Sequence, residues 1–481
     1  MRQGRPGRAR GCRPANSANR RPHGRGDRRL SDDASDIIER ALERVQRAGA
    51  EASDALLLEG NCLETRVRGD EIDFVKQARE RSLGIRALVR GTEGLSCAVT
   101  STSDLSPEAV NRMAEETVEL ARATAPDPAA GLPEEPFETD PPDLKLLDAA
   151  DLEVGIERRI GDARTAERAA RDTDPRIDNS EGSQAETGFA RIALGDSRGF
   201  RGAYESASHS LFSEPIAREN GGMQRSFWMT SARALSALEA PDAVGRRAAA
   251  RALQRLGARR VPTTQVPVIF DPVTAPSLLG HLVACVTGYA VYRRTSFLAE
   301  RMGDLVASER VNVIDDGRLP KGLGSCPFDG EGQPTRRTEV VTGGRLSSWL
   351  LDSYSARKVG GQSTGNATRG PGSSPSAGPT NLWLEPGTGT LEDLVAETER
   401  GLLVTELIGH GFHPATGDYS RGAAGLWIEN GEIAHPVEEI TIAGNLGEML
   451  LNVDRVADDL IWLGRVASPS VRVSRMTVAG E

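Results

Sequence analysis

The fold of this chain is decided by residues 401–450, GLLVTELIGHGFHPATGDYSRGAAGLWIENGEIAHPVEEITIAGNLGEML. Short apolar runs in this stretch alternate with clusters of Gly, Asn, Asp and Thr, which are residues that reverse a strand. Asn430 and Gly431 separate the apolar residues 426–428 from Ile433, and this spacing predicts a hairpin with a type I′ turn. The stretch as a whole predicts an antiparallel sheet with one polar face.

Polar side chains continue through this sheet and through the segment before it. Residues 360–378, GGQSTGNATRGPGSSPSAG, predict a flexible stretch that is too long to lack a role in a compact domain. Asn366, Thr380 and Asn381 have side chains that can either hold an extended backbone or hydrogen-bond their own loop. The polar residues of the sheet itself include Thr405, His410, Asp418, Ser420 and Arg421.

Charge is distributed unevenly between the start and the body of the chain. The first 30 of the 481 residues contain ten arginines and one acidic residue, and we predict a disordered basic tail at residues 1–30 because this composition cannot bury a core. The net charge of the chain is −10, so the body without the +9 of the tail carries about −19. An acidic body argues against a general nucleic-acid binder. Two other interpretations of the tail stay open: an arm that binds nucleic acid, and a reading frame whose start is placed too early.

The cysteines and the apolar runs point to a cytoplasmic protein without a membrane segment. The five cysteines are far apart and form no C-x-x-C pair, which favours reduced thiols over a disulfide framework. No apolar run approaches the roughly 18 residues that span a bilayer. The arginine-rich start also lacks the apolar core of a secretory signal.

Changes in composition divide the chain after the tail into four regions. Amphipathic helices are predicted at 31–47 and 108–123, and further helical pieces at 295–302 and around 447–460. Six prolines in 17 residues mark a linker. The four regions are an N-terminal α/β subdomain (31–125), the proline-rich linker (126–142), a middle helix plus β-meander region (143–257) and a β-rich C-terminal domain (261–481).

No motif for metal or nucleophile chemistry is complete in this sequence. Of the six histidines only His410 and His413 are close neighbours, and residues three apart on a strand point to opposite faces. Neither H-E-x-x-H nor H-E-x-x-x-H occurs. Residues 361–365 match the letters G-x-S-x-G but lack the strand before them and the helix after them that a nucleophile needs. Residues 418–421 fit a small polar reactive cluster. They also fit a turn whose charged side chains form salt bridges, which needs no chemistry.

Several ordered motifs resemble those of the TldD/PmbA family, and specifically its PmbA (TldE) branch. The likeness extends from about residue 31 to the end, and residues 1–29 lie outside it. The matching stretches are STGNA (363–367), PTNL (379–382), GLLVTE (401–406), TGDYSRGA (416–423), IENG (428–431) and PVEEITIAGNL (436–446).

The resemblance implies a chain without a metal site of its own. In this family the TldD-type subunit carries zinc on an H-E-x-x-x-H helix with a late cysteine, and it hydrolyses unfolded peptides. The corresponding helix here, residues 278–288, keeps only His281, and the late cysteine region corresponds to residues 468–470, Ser-Pro-Ser. The resemblance therefore implies no catalytic residue and no cofactor in this chain, with zinc expected on a TldD-type partner.

We predict an α+β chain with an N-terminal strand–helix region in two layers, followed by an antiparallel, barrel-like β-rich C-terminal domain. The resemblance implies a heterodimer with a TldD-type metallopeptidase subunit that acts on unfolded or extended peptides, which a strand edge can bind through its backbone. Two alternatives stay open: a stand-alone hydrolase with an unrecognised site, and a non-enzymatic peptide- or protein-binding homodimer. The expected peptide-binding residues are Asn366, Thr380, Asn381, Thr405, His410, Asp418, Ser420 and Arg421.

Overall fold

A computed structural model describes residues 32–135 and 137–480 of the chain. The predicted tail at residues 1–30 lies outside the described residues. No helix within the described residues is both long enough and apolar enough to cross a membrane. The helices, in chain order, are α1 (Asp32–Arg47), α2 (Pro107–Ala123), α3 (Ile156–Arg171), α4 (Pro241–Leu253), α5 (Pro276–Val286), α6 (Gly288–Tyr292), α7 (Ser353–Val359), α8 (Leu391–Ala396) and α9 (Leu446–Leu451).

The first seven strands form one antiparallel sheet, which we call the N-terminal sheet. Its order is β3-β2-β1-β4-β5-β6, and β7 also pairs with β5. Because β1 pairs with both β2 and β4, strands from the predicted N-terminal and middle regions share this sheet. The strands are β1 (Ala52–Arg68), β2 (Glu71–Gly91), β3 (Gly94–Thr102), β4 (Ile177–Asp196), β5 (Arg201–Glu219), β6 (Gly222–Arg225) and β7 (Trp228–Ala232).

Four helices cover one face of the N-terminal sheet and create its two layers. Alternation along β1 puts Leu57 on this face, where it packs in one cluster with Ile38 of α1 and Val110 of α2. Farther along the same strand, Val67 lies in a second cluster with α3 and α4, which includes Val244. These contacts confirm the predicted strand–helix region in two layers.

The remaining strands build the C-terminal domain around a closed barrel. Five of them close in the order β17-β16-β15-β8-β20, because β17 also pairs with β20. The pair β15–β8 is parallel and the other barrel pairs are antiparallel, so the predicted barrel is confirmed. The strands are β8 (Thr264–Phe270), β9 (Val313–Asp316), β10 (Arg337–Thr342), β11 (Arg345–Leu346), β12 (Ala367–Thr368), β13 (Ser376–Ala377), β14 (Leu382–Leu384), β15 (Arg400–Ile408), β16 (Asp418–Glu429), β17 (Glu432–Asn445), β18 (Val453–Val456), β19 (Val466–Ala467) and β20 (Val471–Ala479).

The predicted type I′ hairpin joins β16 to β17. Asn430 and Gly431 have φ angles of 53° and 78°, the left-handed values that this turn requires at both central positions. A Cβ atom at Gly431 would lie 2.6 Å from the carbonyl oxygen of Ala396. The turn therefore needs a glycine there both for its backbone and for its packing.

The predicted helix at residues 295–302 is wrong, and the one predicted around 447–460 is right only for its first part, because tertiary contacts replace local helical hydrogen bonds. Residues 295–302 form turns, and the N–H of Phe297 donates to the carbonyl of Pro414 rather than to its own segment (3.0 Å). In the second case α9 ends at Leu451, and β18 follows at once. The apolar residues Val453 and Val456, which the sequence pattern places on a helix, pair instead with β20.

The prediction of a flexible stretch at residues 360–378 is also wrong. Ser363 and Asn366 are buried, and Nη1 of Arg369 donates to Oδ1 of Asp54 in β1 (2.6 Å). A Cβ atom at Gly84 of β2 would lie 1.9 Å from the carbonyl oxygen of Pro371. The absence of a side chain at Gly84 therefore lets this stretch dock on the N-terminal sheet.

Candidate functional site

Helix α5 carries His281 toward the loop that precedes β16. Leu278 and Leu282 of this helix are buried in the barrel core, which leaves the imidazole of His281 half-buried at the side. Its ring centroid lies 4.5 Å from that of Phe412 and 5.7 Å from that of Tyr419. His281 is therefore packed by aromatic rings supplied by the loop and by β16.

The surroundings of His281 do not fit a zinc ion. Zinc in proteins takes three or four N, S or O donors, whereas Nε2 of His281 is buried without a hydrogen-bond partner among the described residues. Burial, together with the positive charge of Arg421 and the nearby His410, lowers the pKa of His281 to about 4. In the described part of the chain, no group of three or more His, Cys, Asp and Glu side chains is arranged to hold a metal.

The region that corresponds to the late cysteine has a structural role in this chain. Ser468 and Ser470 are buried. The N–H and the hydroxyl of Ser470 both donate to the carboxylate of Asp459, each at 2.7 Å, and the hydroxyl of Ser468 donates to the carbonyl of Pro469. These serines therefore hold the segment before β20 and supply no thiolate.

Four of the predicted site residues lie at the start of β16 and in the loop before it. His410 and Arg421 lie near His281, whereas Asp418 and Ser420 alternate with the buried Tyr419 and lie on the exposed side of the strand. The loop 409–417 folds back on the start of β16, where the N–H of Ser420 donates to the carbonyl of Gly411 (2.7 Å) and the N–H of His413 to the carbonyl of Asp418 (2.9 Å). A Cβ atom at Gly411 would lie 1.4 Å from the carbonyl oxygen of Ser420, so this close approach requires a glycine. We call the resulting surface the β16 rim, and its polar residues are His410, Asp418, Ser420 and Arg421.

Thr405 lies apart from the β16 rim. It is the extra residue of a β-bulge between Val404 and Glu406 in β15, and its carbonyl accepts a hydrogen bond from Nη2 of Arg251 in α4 (3.1 Å). Its hydroxyl is buried without a partner among the described residues. The bulge therefore turns Thr405 toward α4 rather than toward His281.

The side chains of Asn366, Thr380 and Asn381 are buried and form hydrogen bonds within the fold. Nδ2 of Asn366 and the hydroxyl of Thr380 donate to Oδ2 of Asp315, at 2.7 and 2.8 Å. Asn381 is fully buried, donates to the carbonyl of Asp316 and accepts from the N–H of Gly324. Of the two readings left open by the sequence, the structure shows the one in which these side chains brace their own loops.

Two residues that shape these surroundings, Asp315 and Phe412, are not identified from the sequence. Burial raises the pKa of Asp315 to about 6, although the hydrogen bonds from Thr380 and Asn366 oppose that rise. Asp315 lies within the short strand β9 and belongs to no recognisable sequence motif. Only the fold shows that its carboxylate accepts hydrogen bonds from Asn366 and Thr380. Phe412 lies between two histidines in sequence, and its contact with His281 joins elements that are 131 positions apart.

Comparison with known proteins agrees with this architecture. Sequence models of the PmbA/TldA metallopeptidase match the chain in three parts: domain 1 at residues 55–121, the central domain at 150–256 and the C-terminal domain at 263–480. Together they cover most of the chain. The chain belongs to the PmbA/TldD metallopeptidase family.

Similar proteins place the chain in the PmbA (TldE) branch of this family. It is 40% identical to the metalloprotease PmbA of Escherichia coli O157:H7 over 416 residues, which are 86% of this chain and 89% of that protein. It is 35% identical to a PmbA homologue of Haemophilus influenzae over 443 residues, 92% of this chain and 95% of that protein.

Solved structures of PmbA/TldD-like proteins share the fold. The crystal structure of a putative modulator of DNA gyrase from Bacteroides thetaiotaomicron has a TM-score of 0.86 and 26% identity, and the match covers 94% of this chain and all of that chain. TldE from Thermococcus kodakarensis has a TM-score of 0.83 at 22% identity, with 92% of this chain and all of that chain covered. The second likeness speaks for the fold alone.

Proposed function

We propose that this chain is the zinc-free subunit of a two-chain metallopeptidase that hydrolyses unfolded or extended peptides. The observation that carries the proposal is the environment of His281. By resemblance this residue lies on the helix that binds metal in the TldD-type subunit, but here Phe412 and Tyr419 pack against it, and the described residues contain no group of three or more potential metal ligands. The zinc and the hydrolytic step then belong to a TldD-type partner. The described cysteines form no disulfide. We place this chain and its TldD-type partner in the cytoplasm.

In this proposal the β16 rim contacts the peptide. His410, Asp418 and Ser420 are exposed, and they offer hydrogen-bond donors and acceptors close to the end of a strand. Such groups suit an extended backbone, which exposes its own N–H and C=O groups, better than a folded protein. The proposed peptide surface does not include Asn366, Thr380 and Asn381, because their side chains are used within the fold, or Thr405, which faces α4.

The N-terminal sheet offers the surface for the partner. Strand β2 pairs with β1 along its length but with β3 only from Leu83 onward, so residues 71–82 leave one edge unpaired among the described strands. Ile72 and Val75 on this stretch are 46% and 42% exposed. An open edge of this length invites pairing with another chain, whereas the barrel closes its own sheet. We therefore assign the partner contact to the β2 edge, residues 71–82.

Complex formation tests this assignment. The chain is mixed with a TldD-type subunit and analysed by sizing chromatography with light scattering. We expect a heterodimer for the wild type and a weakened one for the double variant Ile72→Lys/Val75→Lys, since it adds two charges at the contact. The matched control is Leu120→Lys, a change at an exposed apolar residue of α2.

The outcomes separate the parts of the proposal. If the double variant binds as tightly as the wild type, the β2 edge is not the interface. If the wild type forms no complex with any TldD-type chain, the zinc-free-subunit proposal fails. A stable homodimer would then favour the binding-protein alternative.

A further inference from the structure

A cavity of about 310 Å³ lies where the N-terminal sheet meets the C-terminal domain. Leu88 of β2 and Cys97 of β3 form one wall. Tyr289 and Tyr292 of α6 form the opposite wall together with Tyr354 of α7. None of the residues that surround His281 lines this cavity, so it is a different site from the β16 rim.

The tyrosines form a continuous aromatic wall. Tyr289 and Tyr292 meet edge to face with ring centroids 5.6 Å apart, and Tyr292 meets Tyr354 in the same way at 5.8 Å. Tyr289 is nevertheless 56% exposed, which is unusual for a large ring at the junction of two domains. Arg293 lies over the ring of Tyr289 and Lys358 over that of Tyr354, at 5.3 and 5.2 Å from the centroids, so this wall suits an apolar body, which it binds by burial.

Two buried carboxylates give the cavity an excess of negative charge. Glu331 and Asp352 both line it and are 4% and 3% exposed. Oε2 of Glu331 accepts a hydrogen bond from the N–H of Ser353 (2.9 Å). Among the described residues, its Oε1 has one partner, Nη1 of Arg86, at a long 3.4 Å, and Arg86 also pairs with Asp54. Oδ1 of Asp352 accepts from the N–H of Ser355 (3.0 Å), while its Oδ2 accepts no hydrogen bond from the residues that the structure describes. Carboxylate oxygens with spare acceptor capacity in a buried wall favour a cationic donor.

We propose that this cavity binds a primary ammonium group attached to a small apolar or aromatic body. The tyrosine wall and Leu88 bury the body, and Glu331 and Asp352 accept hydrogen bonds from the ammonium group. Ligand pockets span roughly 300–1,000 Å³, so the volume of about 310 Å³ suits a ligand of one or two amino-acid residues. The ligand chemistry is that of a free amine or of the N-terminal residue of a peptide, and the inference holds without the peptidase proposal.

Calorimetry with matched ligands tests the charge requirement. We expect the full chain to bind phenylalanine amide, which has an ammonium group and an aromatic body, and not N-acetyl-phenylalanine amide, which lacks the positive charge. Phenylalanyl-alanine amide distinguishes a free amine from the N-terminus of a peptide. If the cavity admits a second residue, this dipeptide binds at least as tightly as phenylalanine amide; if it does not, the dipeptide binds more weakly. Equal binding of the acetylated ligand, or no binding of phenylalanine amide, overturns the proposal.

Cys97 reports whether the ligand occupies this cavity. Alkylation at each cysteine is followed by mass spectrometry of the peptides with and without phenylalanine amide. We expect several-fold slower alkylation at Cys97 and no change at Cys62, which lies outside the cavity lining. Protection of neither thiol, or equal protection of both, contradicts the assigned site.

Variants of Tyr289 in the aromatic wall and of the carboxylate of Glu331 complete the test. Because Tyr289 is more than half exposed, Tyr289→Ala should fold and bind phenylalanine amide about fivefold more weakly, while Tyr289→Phe keeps the ring and the affinity. Glu331→Gln should weaken binding of the cationic ligand further. Should Glu331→Gln fail to fold, the Tyr289 pair and the protection of Cys97 still decide the proposal.

Discussion

The imidazole of His281 lies against two aromatic rings and near a guanidinium, and these neighbours keep it neutral. Its pKa is lowered to about 4, first by burial and then by the charges of Arg421 and His410. A neutral histidine packed by aromatic rings contributes to packing. The sequence identifies the missing ligands around His281, but only the fold shows which rings take their place.

His281 should make the protein less stable in mild acid. Its pKa is lower in the folded chain than the ordinary value of 6.5, so its contribution to stability is present above that value and is lost as the pH falls toward 4. The variant His281→Phe keeps a ring but cannot take up a proton. Between pH 6.5 and pH 4 we expect its free energy of unfolding to fall by about 1 kcal/mol less than that of the wild type, after allowance for solvent screening. The measurement is urea unfolding at each pH.

The matched control for this prediction is His413→Phe at an exposed histidine of the neighbouring loop. This variant should follow the wild-type dependence on pH. Parallel curves for the wild type and His281→Phe would show that His281 is not held neutral by its surroundings.

The purified chain should hold no stoichiometric zinc. The described residues contain no group of three or more potential ligands around His281, and a stable zinc site needs at least three protein donors. Metal analysis after dialysis, with a zinc-bearing TldD-type subunit measured in parallel, checks this expectation. About one tightly bound zinc per chain would contradict it.

At the scale of single elements, local patterns predict structure only where local contacts decide it. The turn at Asn430 and Gly431 is set by two residues that tolerate a positive φ, and the sequence predicts it. The segment 295–302 has a helical pattern, but the N–H of Phe297 bonds a loop 117 positions away, and no local signal contains that contact. Asn366 is a similar case, because burial against Asp315 decides that it braces a loop.

The docking of residues 360–378 depends on Gly84. We expect Gly84→Ala to cost about 1–3 kcal/mol and to expose this segment to proteases, because the new Cβ atom would lie 1.9 Å from the carbonyl oxygen of Pro371. Limited proteolysis and chemical unfolding provide the measurements. Gly60→Ala in β1 is the matched control, since its Cβ atom would meet only Cβ of Glu80 at 3.9 Å. Equal protease resistance of the two variants would refute the docking argument.

At the scale of the whole molecule, the pattern of apolar runs and turn residues predicts the fold class, whereas the closure of the sheets follows from long-range pairing. The barrel closes through the pairing of β17 with β20, so its edges are used within the domain. An open edge lies instead in the N-terminal sheet, at residues 71–82 of β2, where the described strands leave one side unpaired. The sequence predicts strands in both regions but cannot show which edge stays free, because that depends on where β3 begins to pair.

The arginine-rich start should be dispensable for folding. Its composition cannot bury a core, and we expect deletion of residues 1–29 to leave the midpoint of thermal unfolding unchanged within error. The comparison is made at low and at moderate salt, because docking of a basic tail on the acidic body would depend on screening. A clear fall of the midpoint at low salt alone would show such docking and contradict the prediction.

Activity on mixing tests the central proposal most directly. Cleavage of an unfolded peptide and of a folded protein is measured for this chain alone, for a TldD-type subunit alone and for both together. We expect cleavage of the unfolded peptide by the mixture only, its loss with a chelator, full retention with His281→Ala in this chain, and no cleavage of the folded protein. Cleavage by this chain alone at a rate comparable to that of the mixture would contradict the assignment of a zinc-free subunit.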